Sequence, residues 1–454
     1  MLKDLILEYL TALGQKQLYM GVEGLSPSQQ ERFLAQLKKY DAHLLKRQRE
    51  ALFRKPTIPA QVEPLKAFDQ SGSKEDQERG RELLAKGKVG CLILAGGHGS
   101  RLGSNLPKGV VPLTPVSKKG LLQLFLEKAA AAAKQGGAPL PVAIMTSPLN
   151  HNETLSFLER NKRFGLREEH CSFFLQSTLP YLDDAGNWVL EAPGLLAEGA
   201  DGNGGTLSNF FNSGIWAKWK QIGIEYVNVI PVDNPLCDPF DAEGVGYLMR
   251  TKCEALIKGI LRRNKEEKVG VIGSVKDHLK VVEYTELPEN EKAAVTADGS
   301  LLWKIANAGL FCFTMDFIES LARNPHFFLP WHMANKSTRV MVENSTGGHQ
   351  ETVKVWKCES FIFDVLNFTT RARSLVYPRE EIFAPLKNAT GSDSFETVQR
   401  ALLEKDRHII KQITGREPPS RLFELDQAFY YPTPDLLQKW KGRELPQDQE
   451  YILP

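Results

Sequence analysis

From Val89 onward the chain alternates short, uninterrupted apolar runs with stretches of helical periodicity, and this alternation limits the folds open to it more than any other feature. Val89–Leu94 (VGCLIL), Val142–Thr146 (VAIMT) and residues 226–232 (YVNVIPV) are too short for typical helices and lack a polar face. They read as strands buried on both sides. Residues 121–134 read as a helix stopped by Gly136-Gly137. Residues 173–175, 269–275, 281–284 and 309–313 are further strand candidates. Strands separated by helices form βαβ units, so the expected fold class is α/β with a mostly parallel central sheet.

The flanks read differently. The first 88 residues are helical and polar. Ser26 can cap a helix, Pro27 suits its first position and Gln29 can reach back to the cap. Phe33, Leu37, Tyr40 and Leu44 then recur at helical spacing, and Pro56, Pro59 and Pro64 end that helix. After residue 382 the alternation weakens. The expected organisation is an N-terminal helical region (1–88), a central α/β domain (89–382) and a small mixed C-terminal domain (383–454). The 57 Lys and Arg against 55 Asp and Glu leave no basic excess that would suggest nucleic acid. Six scattered cysteines without C-x-x-C read as buried, reduced thiols rather than a disulfide framework or a zinc site. Lys3, Asp4 and Glu8 interrupt the N-terminus, so no targeting segment is expected there. No run offers the ~18 apolar residues of a membrane span. A cytoplasmic protein without nucleic-acid or membrane partners is therefore expected.

The strongest local signal follows the first strand of the α/β region: Leu94-Ala95-Gly96-Gly97-His98-Gly99-Ser100-Arg101-Leu102-Gly103, then Pro107-Lys108. Such a loop can bring several backbone N–H groups to one anion, with Arg101 and Lys108 supplying charge, or it can be a turn that needs glycine for geometry alone. The dinucleotide fingerprint is excluded by two features. The glycines are spaced G-x-G-x-x-x-G, and no acid occurs between Glu82 and Glu127 to take a ribose. That acid-free interval holds Lys86, Lys88, Arg101, Lys108, Lys118 and Lys119, which suits a polyphosphate. Asp233 follows an apolar strand and could hold Mg²⁺ against phosphate, or simply cap the turn before Pro235. Gly202-Asn203-Gly204-Gly205 precedes a helical pattern with Leu207, Phe210, Phe211 and Ile215 on one face. It is either a presenter of N–H groups or a surface loop. Gln176, Glu283, Tyr284, Asn307, Lys357 and Lys387 carry no specific meaning taken one at a time.

Together these stretches resemble the sugar-1-phosphate nucleotidyltransferases, whose signature loop is L-A-G-G-x-G-[ST]-R-L-G-x-x-x-P-K. The likeness is closest to the UTP-dependent group typified by the eukaryotic UDP-N-acetylhexosamine pyrophosphorylases. It extends in order through Met145-Thr146-Ser147, Arg163-Phe164-Gly165-Leu166, residues 173–180 (FFLQSTLP), 201–205 (DGNGG), Val232-Asp233-Asn234 and Val281-Val282-Glu283-Tyr284. It continues in 305–309 (IANAG), 359–364 (ESFIFD) and 383–388 (FAPLKN). His98, Ser100 and Thr206 depart from that group's usual residues, and the last ~60 residues match it poorly.

The resemblance implies a Rossmann-like nucleotidyltransferase core and transfer of uridylyl from UTP to a sugar-1-phosphate with Mg²⁺. N-acetylglucosamine-1-phosphate is the expected acceptor. Glucose-1-phosphate, a broad sugar range, or a catalytically inactive nucleotide-binding regulator are the alternatives. It further implies that Leu94, Ala95, Gly96, Gly97, Lys108, Gln176, Gly202, Asp233 and Lys357 contact the nucleotide. Asn203, Glu283, Tyr284, Asn307 and Lys387 would contact the sugar phosphate. Arg101, Lys108 and Lys387 would act on the phosphates, and Asp233 would hold the metal.

Overall fold

The computed structural model describes residues 1–54, 62–344 and 347–454, so Pro56 and Pro59 lie outside the described residues. The chain forms two compact units built from interleaved segments rather than from three consecutive stretches. One unit contains the N-terminal helices, Gln176–Gly205 and Phe328–Asp364. The other contains the chain up to Leu175 that carries the first strands, then Thr206–Phe327 and Val365–Pro454.

The larger unit is organised on one sheet. Its strands in chain order are Glu63–Pro64 (β1), Asp69–Gln70 (β2), Val89–Leu94 (β3), Val142–Thr146 (β4), Cys171–Leu175 (β5), Tyr226–Pro231 (β6), Ala255–Leu261 (β7), Val271–Val275 (β8), His278–Val282 (β9), Ile305–Thr314 (β10) and Ala372–Val376 (β11). Among the described residues the spatial order is β2-β11-β7-β10-β6-β3-β4-β5, with β8 beside β10 and carrying β1 and β9. Along that path every pairing is parallel except the two made by β10, which runs antiparallel to β7 and β6. All residues of β3 and β4 are buried, as strands covered on both faces must be. The helix Leu121–Gly136 covers them with Leu122, Phe125, Ala129 and Ala132, and Gly137 ends it in the left-handed region at φ 73°. The expected α/β class with a mostly parallel central sheet is what the chain adopts.

Local boundaries shift where packing overrides pattern. Strand β9 closes at Val282, so Glu283 and Tyr284 leave the strand instead of ending it. Strand β10 begins at Ile305, so Asn307 lies inside it. The single helix expected from residue 206 is two helices, Thr206–Asn212 and Ile215–Gln221, separated at Gly214 with φ 79°. Beyond residue 382, the long helix Phe395–Thr414 and the parallel pair Glu424–Leu425 and Tyr451–Ile452 enclose a small cluster with Phe423, Phe429 and Trp440 at its centre.

In the smaller unit the capping reading of Ser26 holds in full. Its hydroxyl accepts from the Gln29 amide, and Gln29 Oε1 accepts from the Ser26 amide at 2.9 Å. The helix is Pro27–Leu37, however, and Asp41 caps a new one, Ala42–Phe53. The stripe of Phe33, Leu37 and Tyr40 therefore runs past the end of the first helix and is buried with Leu182, Trp188 and Leu190 of the same unit. A long hairpin, His332–Asn344 against Gly347–Glu359, supplies the rest of the unit. The six cysteines are free and buried.

Candidate functional site

In the larger unit the chain passes from β3 outward through β4 to β5, then returns to place β6 on the other side of β3. Open α/β sheets bind ligands outside the carboxyl ends of strands at such a reversal. The parallel register pairs Leu94 with Pro231, so the glycine-rich loop and Val232-Asp233 leave the sheet side by side.

The loop's internal hydrogen bonds shape it. The Gly99 amide donates to the Leu106 carbonyl at 3.0 Å and the Lys108 amide to the Gly97 carbonyl at 3.1 Å, which turns the loop back on its own start. Asn150, fully buried, donates to the carbonyls of Ala95 (2.8 Å) and Gly97 (3.2 Å) and accepts from the Ser147 amide. With those carbonyls engaged on Asn150, the backbone around Gly96 and Gly97 is fixed. Leu94 and Ala95 are buried while Gly97 is exposed.

Lys108 reaches Asp233 directly. Its Nζ lies 3.0 Å from Asp233 Oδ2, and both side chains are partly buried. Gly109 makes this approach possible. A Cβ there would sit 2.7 Å from Leu122 and 3.2 Å from Val232, the residue before Asp233. Arg101 is exposed, and its guanidinium has no hydrogen bond or ion pair among the described residues. Lys387 arrives from a distant segment. The Leu386 amide donates to the Asp233 carbonyl at 2.7 Å, and Lys387 Nζ lies 3.6 Å from Asp393.

Glu283 and Asn307 meet at Gly270, and Tyr284 follows Glu283 in the chain. The Asn307 amide donates to the Gly270 carbonyl at 2.9 Å, and Glu283 Oε1 lies beside Gly270. Asn307 Oδ1 accepts from the Gly309 amide at 2.8 Å, where φ of 72° turns the strand. Gly309 faces Pro231, the last residue of β6.

In the smaller unit Gln176, Gly202, Asn203 and Lys357 are assembled around Ser360. The Gln176 amide nitrogen donates to the Gly202 carbonyl. Gly202 forms a parallel bridge with Ser360 at φ 85°, and a Cβ there would collide with the Ser360 carbonyl oxygen. The Ser360 amide donates to the Asp201 carbonyl at 2.7 Å, and the Gly204 amide to the Ser360 carbonyl at 2.9 Å. Asn203 Oδ1 accepts from the Ile362 amide at 3.0 Å, so this oxygen holds the loop. Lys357 Nζ pairs with Glu359 at 2.5 Å. Burial pushes the Asp201 carboxyl up to about 7, against the pull of a backbone amide and of Lys357, and its Oδ1 is buried without a hydrogen bond among the described residues.

Sequence reasoning assigned nothing to Asn150, Asp201 or Ser360, although the last two lie inside stretches that carried the resemblance. Asn150 had one readable signal, its place just before the helix His151–Arg160.

The family model described as UTP–glucose-1-phosphate uridylyltransferase matches residues 32–430. The chain belongs to this family. UDP-N-acetylglucosamine diphosphorylase 2 of Arabidopsis thaliana is 31% identical over 88% of the chain and 82% of the relative. UDP-N-acetylglucosamine pyrophosphorylase of Saccharomyces cerevisiae is 29% identical over 95% of each. Among solved structures, uridine diphosphate N-acetylglucosamine pyrophosphorylase from Trypanosoma brucei superposes with a TM-score of 0.82 at 23% identity, covering 100% of this chain and 98% of that one. That likeness shares the fold described above. Among the described residues no helix is long and apolar enough to cross a membrane.

Proposed function

We propose that this chain transfers uridylyl from UTP to N-acetylglucosamine-1-phosphate, giving the UDP-sugar and pyrophosphate. The observation that carries the reading is the Lys108–Asp233 pair at 3.0 Å beside the glycine-rich loop, in a member of a uridylyltransferase family. The relatives named for N-acetylglucosamine support the acceptor. The family description names glucose-1-phosphate, and this favours it as the second acceptor to test.

An oxygen of the sugar phosphate attacks the α-phosphorus of UTP in line. The new P–O bond forms as the bond to the β-phosphate oxygen breaks, and pyrophosphate carries away the electron pair. The nucleophile is already an anion, so no general base is required and catalysis is positioning with charge stabilisation. Arg101, exposed and without a partner among the described residues, neutralises the leaving β- and γ-phosphates. Lys108 takes the α-phosphate, and Lys387 holds the incoming sugar phosphate. The backbone from Leu94 to Gly97 receives the nucleotide. Gln176 reads the uracil edge with its acceptor oxygen and its second N–H, Gly202 presents backbone beside it, and Lys357 adds charge at the nucleotide phosphates. Asn203, Glu283, Tyr284 and Asn307 hydrogen-bond the sugar.

Asp233 is the residue we assign to Mg²⁺. Among the described residues no group of three or more His, Cys, Asp or Glu could hold a metal by itself. A single carboxylate fits an ion that keeps waters and takes its other ligands from substrate phosphates. When bound, Mg²⁺ neutralises charge between the two anionic substrates. In the free protein Lys108 occupies the carboxylate, and a phosphate that takes Lys108 leaves it available. Six free, buried thiols fit a reducing compartment, and we assign the chain to the cytoplasm.

The test is pyrophosphate release with UTP and Mg²⁺ over a panel of sugar-1-phosphates, repeated with ATP, GTP and CTP. Release is expected with UTP, fastest with N-acetylglucosamine-1-phosphate. No release with any pair would defeat the reading, and a glucose preference would move only the acceptor.

A further inference from the structure

We propose that Asn234 is a positioning residue that fixes the Ile382-to-Asn388 segment and thereby places Lys387; this rests on the reading of Lys387 as the cation for the sugar phosphate. Asn234 is 1% exposed, and both ends of its amide are spent on that segment. Nδ2 donates to the Ile382 carbonyl at 2.7 Å, and Oδ1 accepts from the Ala384 amide at 3.0 Å. The Asp233 carbonyl accepts from the Leu386 amide at 2.7 Å. Residues 382, 384 and 386 are thus tied to one dipeptide, as alternate residues of a strand would be tied to a neighbour, with a side-chain amide standing in for a peptide group. Lys387 is the next residue.

Two further observations make these bonds decisive. The turn that carries Asn234 is itself held. Lys128 Nζ, buried, donates to the carbonyls of Pro235 (2.8 Å) and Cys237 (3.1 Å), and the Cys237 amide donates to the Asn234 carbonyl. The segment is backed unevenly: Ile382 and Leu386 are buried in the core, but its middle borders open space. Phe383, Ala384 and Pro385 line an open cavity of about 390 Å³ together with Leu236, Asp393 and Ala401. On that open side packing leaves room to shift, so the bonds to Asn234 and Asp233, with the Lys387 amide on the Asp393 carbonyl at 2.7 Å, set where Lys387 stands. Misplacing a reacting group by about 1 Å can cost ~10²-fold in rate.

The experiment is a double-mutant cycle of Asn234→Ser with Lys387→Ala, read as kcat and KM for N-acetylglucosamine-1-phosphate and for UTP. It is paired with amide hydrogen exchange over residues 382–388 in the free protein. In Asn234→Ser the sugar-phosphate KM should rise roughly tenfold with the UTP KM nearly unchanged. In the Lys387→Ala background the same substitution should have almost no effect, because coupled residues are not additive. Exchange over 382–388 should quicken by roughly tenfold or more while β3 stays protected. Asn234→Asp keeps the acceptor for Ala384 and loses the donor to Ile382, so it should fall between wild type and Asn234→Ser and serves if the serine variant does not fold. Equal kinetic penalties in both backgrounds, or unchanged exchange over 382–388, would overturn the proposal. A wild-type protein that releases no pyrophosphate would defeat the functional reading alone, and exchange would still decide the tether.

Discussion

Lys108 and Asp233 meet because two parallel strands end side by side, whereas Gln176 and Gly202 meet because a glycine lets a loop lie against Ser360. The first region is charged and anchored on a buried sheet. Its cations include Arg101, which is exposed and has no hydrogen bond or ion pair among the described residues. The second region pairs its Lys357 with Glu359, and its backbone is held by hydrogen bonds within one unit. Charge on a rigid edge suits phosphate, where the task is to offset repulsion. Directional amides on a pinned loop suit a base and a sugar, where the task is discrimination. The comparison predicts that damage to the strand-end region will appear in turnover, and damage to the loop in selectivity or stability.

The sharpest break would come at Asp233. Asp233→Asn is isosteric, removes the carboxylate charge and leaves Lys108 unpaired. Loss of charge stabilisation worth several kcal/mol should lower kcat by roughly 10³-fold. Steady-state rates across a Mg²⁺ titration check this, and near-normal turnover would remove Asp233 from the chemistry.

Next comes Arg101→Ala. Turnover should fall by about 10²-fold, with the melting temperature essentially unmoved because the side chain is exposed and supports no packing. A lowered melting temperature with intact kinetics would make the loop structural.

In the loop region Gln176→Ala should reduce the preference for UTP over CTP by about tenfold, since a base edge is read by hydrogen bonds that a wrong base leaves unpaired. Turnover with saturating UTP should change less than in the strand-end variants. An unaltered UTP-to-CTP ratio would end the role of Gln176 in base reading and weaken the contrast between the regions.

The smallest effect tests electrostatics in the loop. Burial holds the Asp201 carboxyl at about 7, above its ordinary value of 3.8. The folded state therefore binds the proton more tightly than the unfolded chain. Stability falls as pH rises from about 4 to about 7 and levels off above that. Asp201→Asn removes this dependence. Its melting temperature should exceed that of the wild type by a few degrees at pH 8, and by less at pH 5. Thermal melts at both values decide it; no pH-dependent difference would mean the carboxylate is well solvated.

Much of the strand-end region was legible in sequence. β3 and β4 were read to the residue, because a strand buried on both faces must be an unbroken apolar run of limited length. The glycine-rich loop, its basic residues and Asp233 were likewise readable, since each follows such a run directly. The same logic failed at β9 and β10, where polar residues enter the ladders and packing, not pattern, sets the ends. It failed again at Tyr40. Helical spacing continued past Leu37 while Asp41 opened a new helix by capping the Leu44 amide at 2.7 Å.

What the sequence by itself determined is the list of elements and of chemically capable residues. Periodicity encodes which face is buried, and glycine with charge encodes where backbone can meet an anion. The meetings were decided by tertiary structure alone. Lys108 and Asp233 are 125 positions apart, Gln176 and Gly202 are 26 apart, and Asn234 and Ala384 are 150 apart. Local propensity acts over a few residues, while these contacts follow from strand order and register, which are chosen by burying the whole sheet at once. Asn234 illustrates the limit: in sequence it is one more polar residue after a strand, and only the fold brings both ends of its amide to the segment that carries Lys387.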